Sequence, residues 1–382
     1  MDLESIVLGL RETDPTRLEA LRARADRVRR EHVGDAVHLR GLVEISNHCV
    51  RHCAYCGLRA ERVDLSRYRM APDEIVGVAR YARELGYGTV VLQGGEDPGL
   101  TRASVAEVVR RIKASTGLAV TLSLGERSVE DLDAWRAAGA DRYLLRFETS
   151  NPALYRALHP RGPGLVDLRL QRLRRARELG YEIGSGVMVG LPGQTWHDVG
   201  RDLLLFQELD LDMVGLGPWI PHPDTPAVAA ADHGLSPDHR ARNDAATTLK
   251  ALALTRLLCP DANLPATTAL ATVDPVSGRE DGLRWGANVV MPNLTPLAYR
   301  RQYEIYPGKT CLGETPDQCH GCLRARIEAV GRALGRGSGD SAALARRRAA
   351  RSITPTPGRE DSITPPSRSD PPGPGPLPPE VP

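Results

Sequence analysis

The sequence predicts an α/β chain folded as a parallel TIM-type (β/α)8 barrel whose last two units are irregular. Three observations predict it. From residue 37 onward, short β-branched or Leu-rich runs alternate with longer amphipathic segments, which implies parallel pairing through right-handed crossovers. Eight such runs fit within roughly 260 residues, the scale of one barrel. Polar residues suited to chemistry recur at the C-terminal ends of these runs, where barrels build their sites. An open doubly wound sheet is the other arrangement the alternation allows.

Residues 1–36 read as two short amphipathic helices packing on the barrel, and they are too charged for a secretory signal. The barrel itself is expected over 37–310. Its strands are VHLRGLVEI (37–45), TVVLQ (89–93), LAVTLSL (118–124), RYLLR (142–146), EIGSGVMVG (182–190), MVGLG (213–217), NLPATTA (263–269) and NVVM (288–291). Helices are expected over 71–86, 104–116, 128–139, 165–180, 197–210 and 241–258. After Thr268 there is little room for full helices, hence the irregular last units. Residues 311–335 form a further cysteine-bearing segment with a helix. From Arg336 the chain is dominated by Arg, Ser, Gly and Pro, and 336–382 is expected to be a disordered, Pro-rich tail.

The chain has 382 residues, with 50 Lys and Arg against 48 Asp and Glu, so its net charge of +2 argues for neither nucleic acid nor an anionic membrane as partner. No apolar run is long enough to span a bilayer. A cytoplasmic location is expected, where thiols stay reduced and seven cysteines need a reason other than disulfides. Six fall into two trios. Cys259 stands alone before Pro260 and reads as a small buried hydrophobe.

Each expected strand ends in a distinctive group: SNHCVRHCAYCGL, QGGEDPG, SLGER, RFETSNP, GLPGQT, GPWIPHPDTP, ATTA and MPNLTP. Turn preference explains their glycines and prolines, but not Cys, Gln, Glu and Arg recurring at the same end. Cys49, Cys53 and Cys56 are spaced C-x3-C-x2-C on the first of these loops. Three thiolates from one short loop hold three irons of a 4Fe–4S cubane and leave the fourth open. A zinc site completed by His48 or His52 stays open by ligand counting.

The spacing resembles the signature of the radical S-adenosylmethionine (SAM) superfamily. That resemblance implies a catalytic 4Fe–4S cluster on Cys49, Cys53 and Cys56, with SAM chelating the open iron and yielding a 5′-deoxyadenosyl radical. It assigns Gly94, Gly95 and Glu96 to the methionyl ammonium, Glu148 to the ribose, Arg169 to the methionyl carboxylate and Tyr55 to the adenine. Taken alone, Arg169 reads as a solvated helix charge and Tyr55 as a packing residue. Within the superfamily, the segments VLQGGEDPG, LSLGER, AGADRYLLRFETSNPALYRALHP, LGYEIGSGVMVGLPGQT, DMVGLGPWIPHPDTP, LPATTALAT, GANVVMPNLTP and YPGKTC resemble the FeFe-hydrogenase maturase HydE family from about Arg40 to Cys322. Biotin synthase and methylornithine synthase are similar in barrel and cysteine loop only.

The HydE resemblance implies a small organometallic substrate, an iron complex of cysteine, cyanide and carbon monoxide received from another hydrogenase maturase. It implies an electron donor such as a ferredoxin or flavodoxin. Arg146, Thr267, Thr268, Met291 and Tyr306 would line the substrate end. Two departures stand out. Phe147 replaces a histidine common in the family's LLRHET motif, from which the loss of one polar contact beside SAM or substrate is expected, and Gly94 replaces a common serine. Cys311, Cys319 and Cys322, spaced C-x7-C-x2-C, match a trio that in some HydE sequences binds an accessory 2Fe–2S or 4Fe–4S cluster; zinc with His320, or unligated thiols, is the alternative. Two other functions are weighed: a methylornithine-synthase-like or biotin-synthase-like radical enzyme, and a non-catalytic Fe–S carrier or scaffold.

Overall fold

In the computed structural model, which describes residues 1–162, 165–226, 236 and 238–353, side-chain caps set the first elements. The Asp2 and Asp14 carboxylates accept the backbone N–H three residues on, starting α1 (Leu3–Arg11) and α2 (Pro15–Val33). The two helices pack on the outside of the later α8 and α9 helices, and Gly200 is a point of close approach: a Cβ there would lie 2.7 Å from Leu3 Cδ1.

The barrel then runs β1 (Ala36–Ser46), α3 (Pro72–Glu84), β2 (Thr89–Gly94), α4 (Arg102–Thr116), β3 (Ala119–Ser123), α5 (Val129–Ala137), β4 (Arg142–Leu144), α6 (Pro152–Leu158), α7 (Val166–Glu178), β5 (Glu182–Val189), α8 (Trp196–Glu208), β6 (Met213–Pro218), α9 (Ala245–Leu258), α10 (Thr268–Val273), α11 (Gly278–Arg284) and β7 (Val289–Val290). There follow α12 (Leu297–Arg300), α13 (Pro316–Ala329), β8 (Ala333–Leu334) and α14 (Ala342–Ile353). Contacts group Met1–Ala345 as one unit and the chain from Arg346 as another; of the latter, the continuation of α14 to Ile353 is described.

The strands are parallel and ordered β6-β5-β4-β3-β2-β1-β7. Two single parallel bridges, Met213 to Asn263 and Pro265 to Val289, carry the pairing from β6 to β7, so the ring of neighbours closes. The seventh stave expected at 263–269 is therefore reduced to these bridges. Pro265 has no N–H to extend the ladder, and Thr267 caps α10 instead. The eighth is the two-residue β7. Alternation sorts the side chains: Val43, Val90, Leu92, Val120 and Leu122 are fully buried toward the helices, while Leu42, Val91, Thr121 and Leu144 face an interior cavity.

The end of this unit differs from the expected tail. β8 pairs with Ala36 and Val37 of β1, and residues 336–341 close the N-terminal end of the barrel. Gly339 O accepts from Arg40 Nη2 (2.9 Å) and Asn263 Nδ2 (3.0 Å). Ser341 bonds to Asp212 and Glu182, and Asp340 pairs with Arg142. The segment is polar, so it carries no hydrophobic periodicity; its partners are buried polar groups already inside the barrel. Residues 342–353 of the expected tail form the helix α14, and 354–382 lie outside the described residues.

One buried carboxyl sets a pH dependence. Asp202 on α8 is fully enclosed, accepts the Ser150 N–H (2.6 Å), and is pushed up to about 7 by burial. Its folded pKa stands above the unfolded value of 3.8, so the stability tied to its neutral form is complete below that value and lost as pH rises through 7. Asp202→Asn should therefore gain several degrees of Tm over the parent between pH 5 and pH 8. A melting difference that stays constant across that range would contradict the assignment.

Candidate active site

The loop after β1 is organised by two side chains. Asn47 Oδ1 accepts the Tyr68 N–H (2.6 Å), and its Nδ2 donates to Ser66 O (2.9 Å) and Gln302 O (2.8 Å). Arg67 fills the loop's centre and donates to the carbonyls of Asn47, Leu58, Arg59 and Arg62. Cys49, Cys53 and Cys56 all sit on this frame at the C-terminal mouth of the barrel. The Arg51 and Leu58 N–H groups point at the sulfurs of Cys49 (3.5 Å) and Cys56 (3.4 Å). Burial raises all three thiols, Cys53 to about 11, so without a cation they stay protonated.

Beside the loop, a cavity of about 260 Å³ is lined by Cys53, Arg51, Glu96, Glu126, Tyr155 and Arg169, among others. Its charges are linked. Arg51 lies 2.8 Å from Glu96 and 3.3 Å from Glu126, and Glu126 also takes Arg169 (2.9 Å) and Arg172 (2.9 Å). Burial pushes the Glu126 carboxyl up, but Arg169, Arg51 and Arg172 together hold it below the usual range. Arg169 is thus a buried, oriented guanidinium lying over the Tyr155 ring at 5.3 Å, not a solvated helix charge. Glu96 Oε2 accepts the Glu126 N–H (3.0 Å), and Gly125 (φ 81°) permits that approach, since a Cβ there would meet Glu96 Oε2 at 2.8 Å.

A second cavity, about 360 Å³, runs down the barrel interior behind Cys56. Arg146, Thr267, Thr268, Met291 and Tyr306 all line it, as do Tyr55, Gly94 and Glu148. Glu148 has φ 64°, rare for a residue with a side chain, and takes Arg146 in a two-point ion pair (2.9 and 3.0 Å). Tyr55 OH reaches His159 Nε2 at 3.5 Å, and its ring stands edge-on to that imidazole. Lys309 and Glu44 form a buried ion pair on the wall of the same cavity, and Arg40 lines it nearer the N-terminal end of β1.

Phe147 corrects an expectation. Arg146 and Glu148 point inward, so by strand alternation the residue between them points out; Phe147 is fully buried against Phe206. Replacing histidine there costs no contact in the cavity. Cys259 is buried at the end of α9, as its sequence context suggests.

Of the second trio, Cys311 precedes α13, and Cys319 and Cys322 lie on it. Burial of the Cys319 thiol and its hydrogen bond with Cys311 tie these two together, and that bond draws Cys311 down to about 6. Arg279 Nη2 lies 3.8 Å from Cys311 Sγ, and Cys322 is exposed. His320 is engaged with Tyr87 OH (3.2 Å).

Comparison with known proteins decides the family. Residues 43–206 match the Radical SAM superfamily model. The chain is 51% identical to the [FeFe] hydrogenase maturase subunit HydE of Thermotoga maritima over 318 residues, 83% of this chain and 87% of that protein. It is 28% identical to 3-methylornithine synthase of Methanosarcina acetivorans over 72% of this chain and 74% of that one. The chain belongs to the HydE family of radical SAM enzymes. Among solved structures, methylornithine synthase (PylB) superposes with a TM-score of 0.75 at 25% identity, covering 91% of this chain and 96% of that one. The maturase HydG of Carboxydothermus hydrogenoformans superposes at 0.69 with 20% identity, over 86% and 75% of the two chains, and shares the fold.

Membership of the HydE family implies a 4Fe–4S cluster and SAM, and the residues fit both. Among the described residues no three His, Cys, Asp or Glu side chains are gathered as a single metal ion would need. Thiolates of a cubane each take a different iron and need not converge on one point. Irons would supply the positive charge that keeps these buried sulfurs as thiolates. Arg51, Glu126, Tyr155 and Arg67 are site residues that the sequence reading does not assign. SLGER and CVRHC hold two of them, but nothing in the spacing says which charges meet.

The two adjacent glycines differ. A Cβ on Gly95 would lie 2.2 Å from His48 O and 2.8 Å from Cys49 Cβ, whereas on Gly94 the nearest atom is 3.4 Å away. Gly95→Ala is therefore expected to push the cysteine loop aside and cut iron and sulfide content after anaerobic reconstitution several-fold; Gly94→Ser should retain it. Equal iron loading of the two variants would refute this geometry.

Proposed function

We propose that this chain is a HydE-like maturase that cleaves SAM reductively and directs the radical onto an iron-bound cysteine complex carrying CO and cyanide, for assembly of the FeFe-hydrogenase H-cluster. The observation that supports it most is the deep cavity behind Cys56, whose wall combines the Arg146 guanidinium with hydroxyls, a thioether and a phenol, while Lys309 and Glu44 on the same wall neutralise each other. When bound, the cluster supplies the electron that breaks a C–S bond of SAM. The chain's own residues do the rest. Cys49, Cys53 and Cys56 hold the irons. Glu96 takes the methionyl ammonium, Arg169 the carboxylate and Glu148 the ribose hydroxyls, with Gly94 and Gly95 alongside and Tyr55 near the adenine. Arg146, held by Glu148, would grip a carboxylate or cyanide of the substrate, with Thr267, Thr268, Met291 and Tyr306 closing around it. Burial pushes Tyr306 up to about 12, so it serves as a neutral donor. Cys311, Cys319 and Cys322 would carry an accessory 2Fe–2S or 4Fe–4S cluster without a catalytic role. A ferredoxin or flavodoxin would donate the electron, and another maturase would supply the complex.

Anaerobic reconstitution with iron and sulfide, then dithionite and SAM, tests this reading. 5′-Deoxyadenosine should form, and faster when a synthetic iron–cysteine–CO–cyanide complex is added. No 5′-deoxyadenosine from a protein with an intact cluster would leave a carrier or scaffold. Cleavage that the iron complex does not change would favour a methylornithine-synthase-like or biotin-synthase-like reaction.

A further inference from the structure

At the other end of β1 from the cysteine loop lies a cavity of about 490 Å³ that the radical chemistry does not use. Its walls are α2, the end of α11 and the turn between α13 and β8. Three arginines meet there: Arg29, Arg30 and Arg332. Two carboxylates face them. Asp26 takes Arg29 (2.8 Å) and Arg30 (3.1 Å), and Asp35 takes Arg29 (3.0 Å) with Arg30 at 3.6 Å.

Arg332 forms no such ion pair among the described residues. It is 8% exposed, its Nε donates to Asp35 O (2.7 Å) and its Nη1 to Leu283 O (3.4 Å), and its buried Nη2 has no hydrogen-bond partner among the described residues. A buried cation with an unused N–H is costly unless an anion answers it. Its surroundings agree with this imbalance: burial and the nearby Arg29 lower it to about 10. Arg22 and Arg284 stand at the rim, each next to its own carboxylate, Glu19 and Asp281. Among the described residues the lining holds no aromatic ring on which a base would stack, and its apolar part is limited to Leu283 and Val330.

We propose that this cavity binds a phosphate group, free or esterified, with the Arg332 guanidinium in its wall and Arg30 at its mouth. A tetrahedral oxyanion accepts from several guanidinium N–H groups at once and supplies the charge that Asp26 and Asp35 leave unmet. The site is independent of the SAM chemistry and of the function proposed above.

Equilibrium dialysis of the full-length protein at constant ionic strength tests it, with labelled inorganic phosphate in one arm and glycerol phosphate in the other, against chloride. Saturable binding of at least one probe is expected, weakened about 10-fold or more in Arg332→Gln. The Arg30 side chain is 61% exposed, so Arg30→Gln spares the fold; it provides the second variant and should weaken binding several-fold. Binding of inorganic phosphate identifies the free ion as sufficient; binding of the ester alone identifies an esterified ligand. No saturable binding of either probe, or affinity unchanged in both variants, overturns the proposal.

Discussion

Cys53→Ala is expected to reduce SAM cleavage to background, while Cys322→Ala and Cys319→Ala keep it within a few-fold of the parent. Cys53 is one of three sulfurs on a loop whose backbone is tied at Asn47 and Arg67, so the frame holds the remaining two in place without moving another ligand into its position. It also lines the cavity that holds Glu96 and Arg169. Losing it removes a ligand and opens the wall of the proposed SAM pocket together. The second trio is placed differently. It follows the segment that crosses the barrel mouth, where Ile305 O accepts the Gly57 N–H (3.0 Å) and Lys309 pairs with Glu44. Those anchors precede Cys311 and do not involve its sulfur. Cys322 is exposed, so its replacement tests the trio without disturbing packing; Cys319 is buried and tests it with some cost in stability. Iron content, 5′-deoxyadenosine yield and Tm should be read on all three. Equal loss of cleavage from Cys53→Ala and Cys322→Ala would contradict the accessory role.

How far the chain is legible follows from what holds each part. The first six staves are kept in place by apolar residues of period two between amphipathic helices, and such patterns are local, so their positions are readable to within a few residues. The cysteine loop is readable because its chemistry needs three like residues at short spacing. β8 and the segment after it are not. Gly337, Ser338, Gly339, Asp340 and Ser341 look like a linker, and their role depends on Arg40, Arg142, Glu182 and Asp212, which come from four different strands or their edges. The partners of Arg51 and Glu126 are hidden for the same reason: ion pairs between loops leave no periodic trace. Motif comparison misplaces Phe147, although strand alternation already points it away from Arg146 and Glu148.

That hidden segment gives the second large effect. A chain ending at Gly335 should melt at least about 5–10 °C below one ending at Ile353. Deletion takes Asp340 and the Ser338 carbonyl from Arg142, the Ser341 N–H from Glu182, the Ser341 hydroxyl from Asp212 and the Gly339 carbonyl from Arg40. Arg142, Glu182 and Asp212 are all within 2% of full burial, so each deletion leaves a polar group that was desolvated for a partner now gone. Water entering the opened base would recover part of this, at the expense of a barrel wet from below. A point substitution reaches the same state without shortening the chain. A Cβ on Gly88 would lie 1.6 Å from Gly337 O, so Gly88→Ala must displace the segment, and its melting loss should approach that of the truncation. Gly77→Ala, on α3 with nothing within 4 Å of the added Cβ, serves as the control and should be neutral or slightly stabilising. If the chain ending at Gly335 melts with the longer one, the polar contacts at the barrel base contribute nothing net, and Gly88 must then tolerate alanine as readily as Gly77 does.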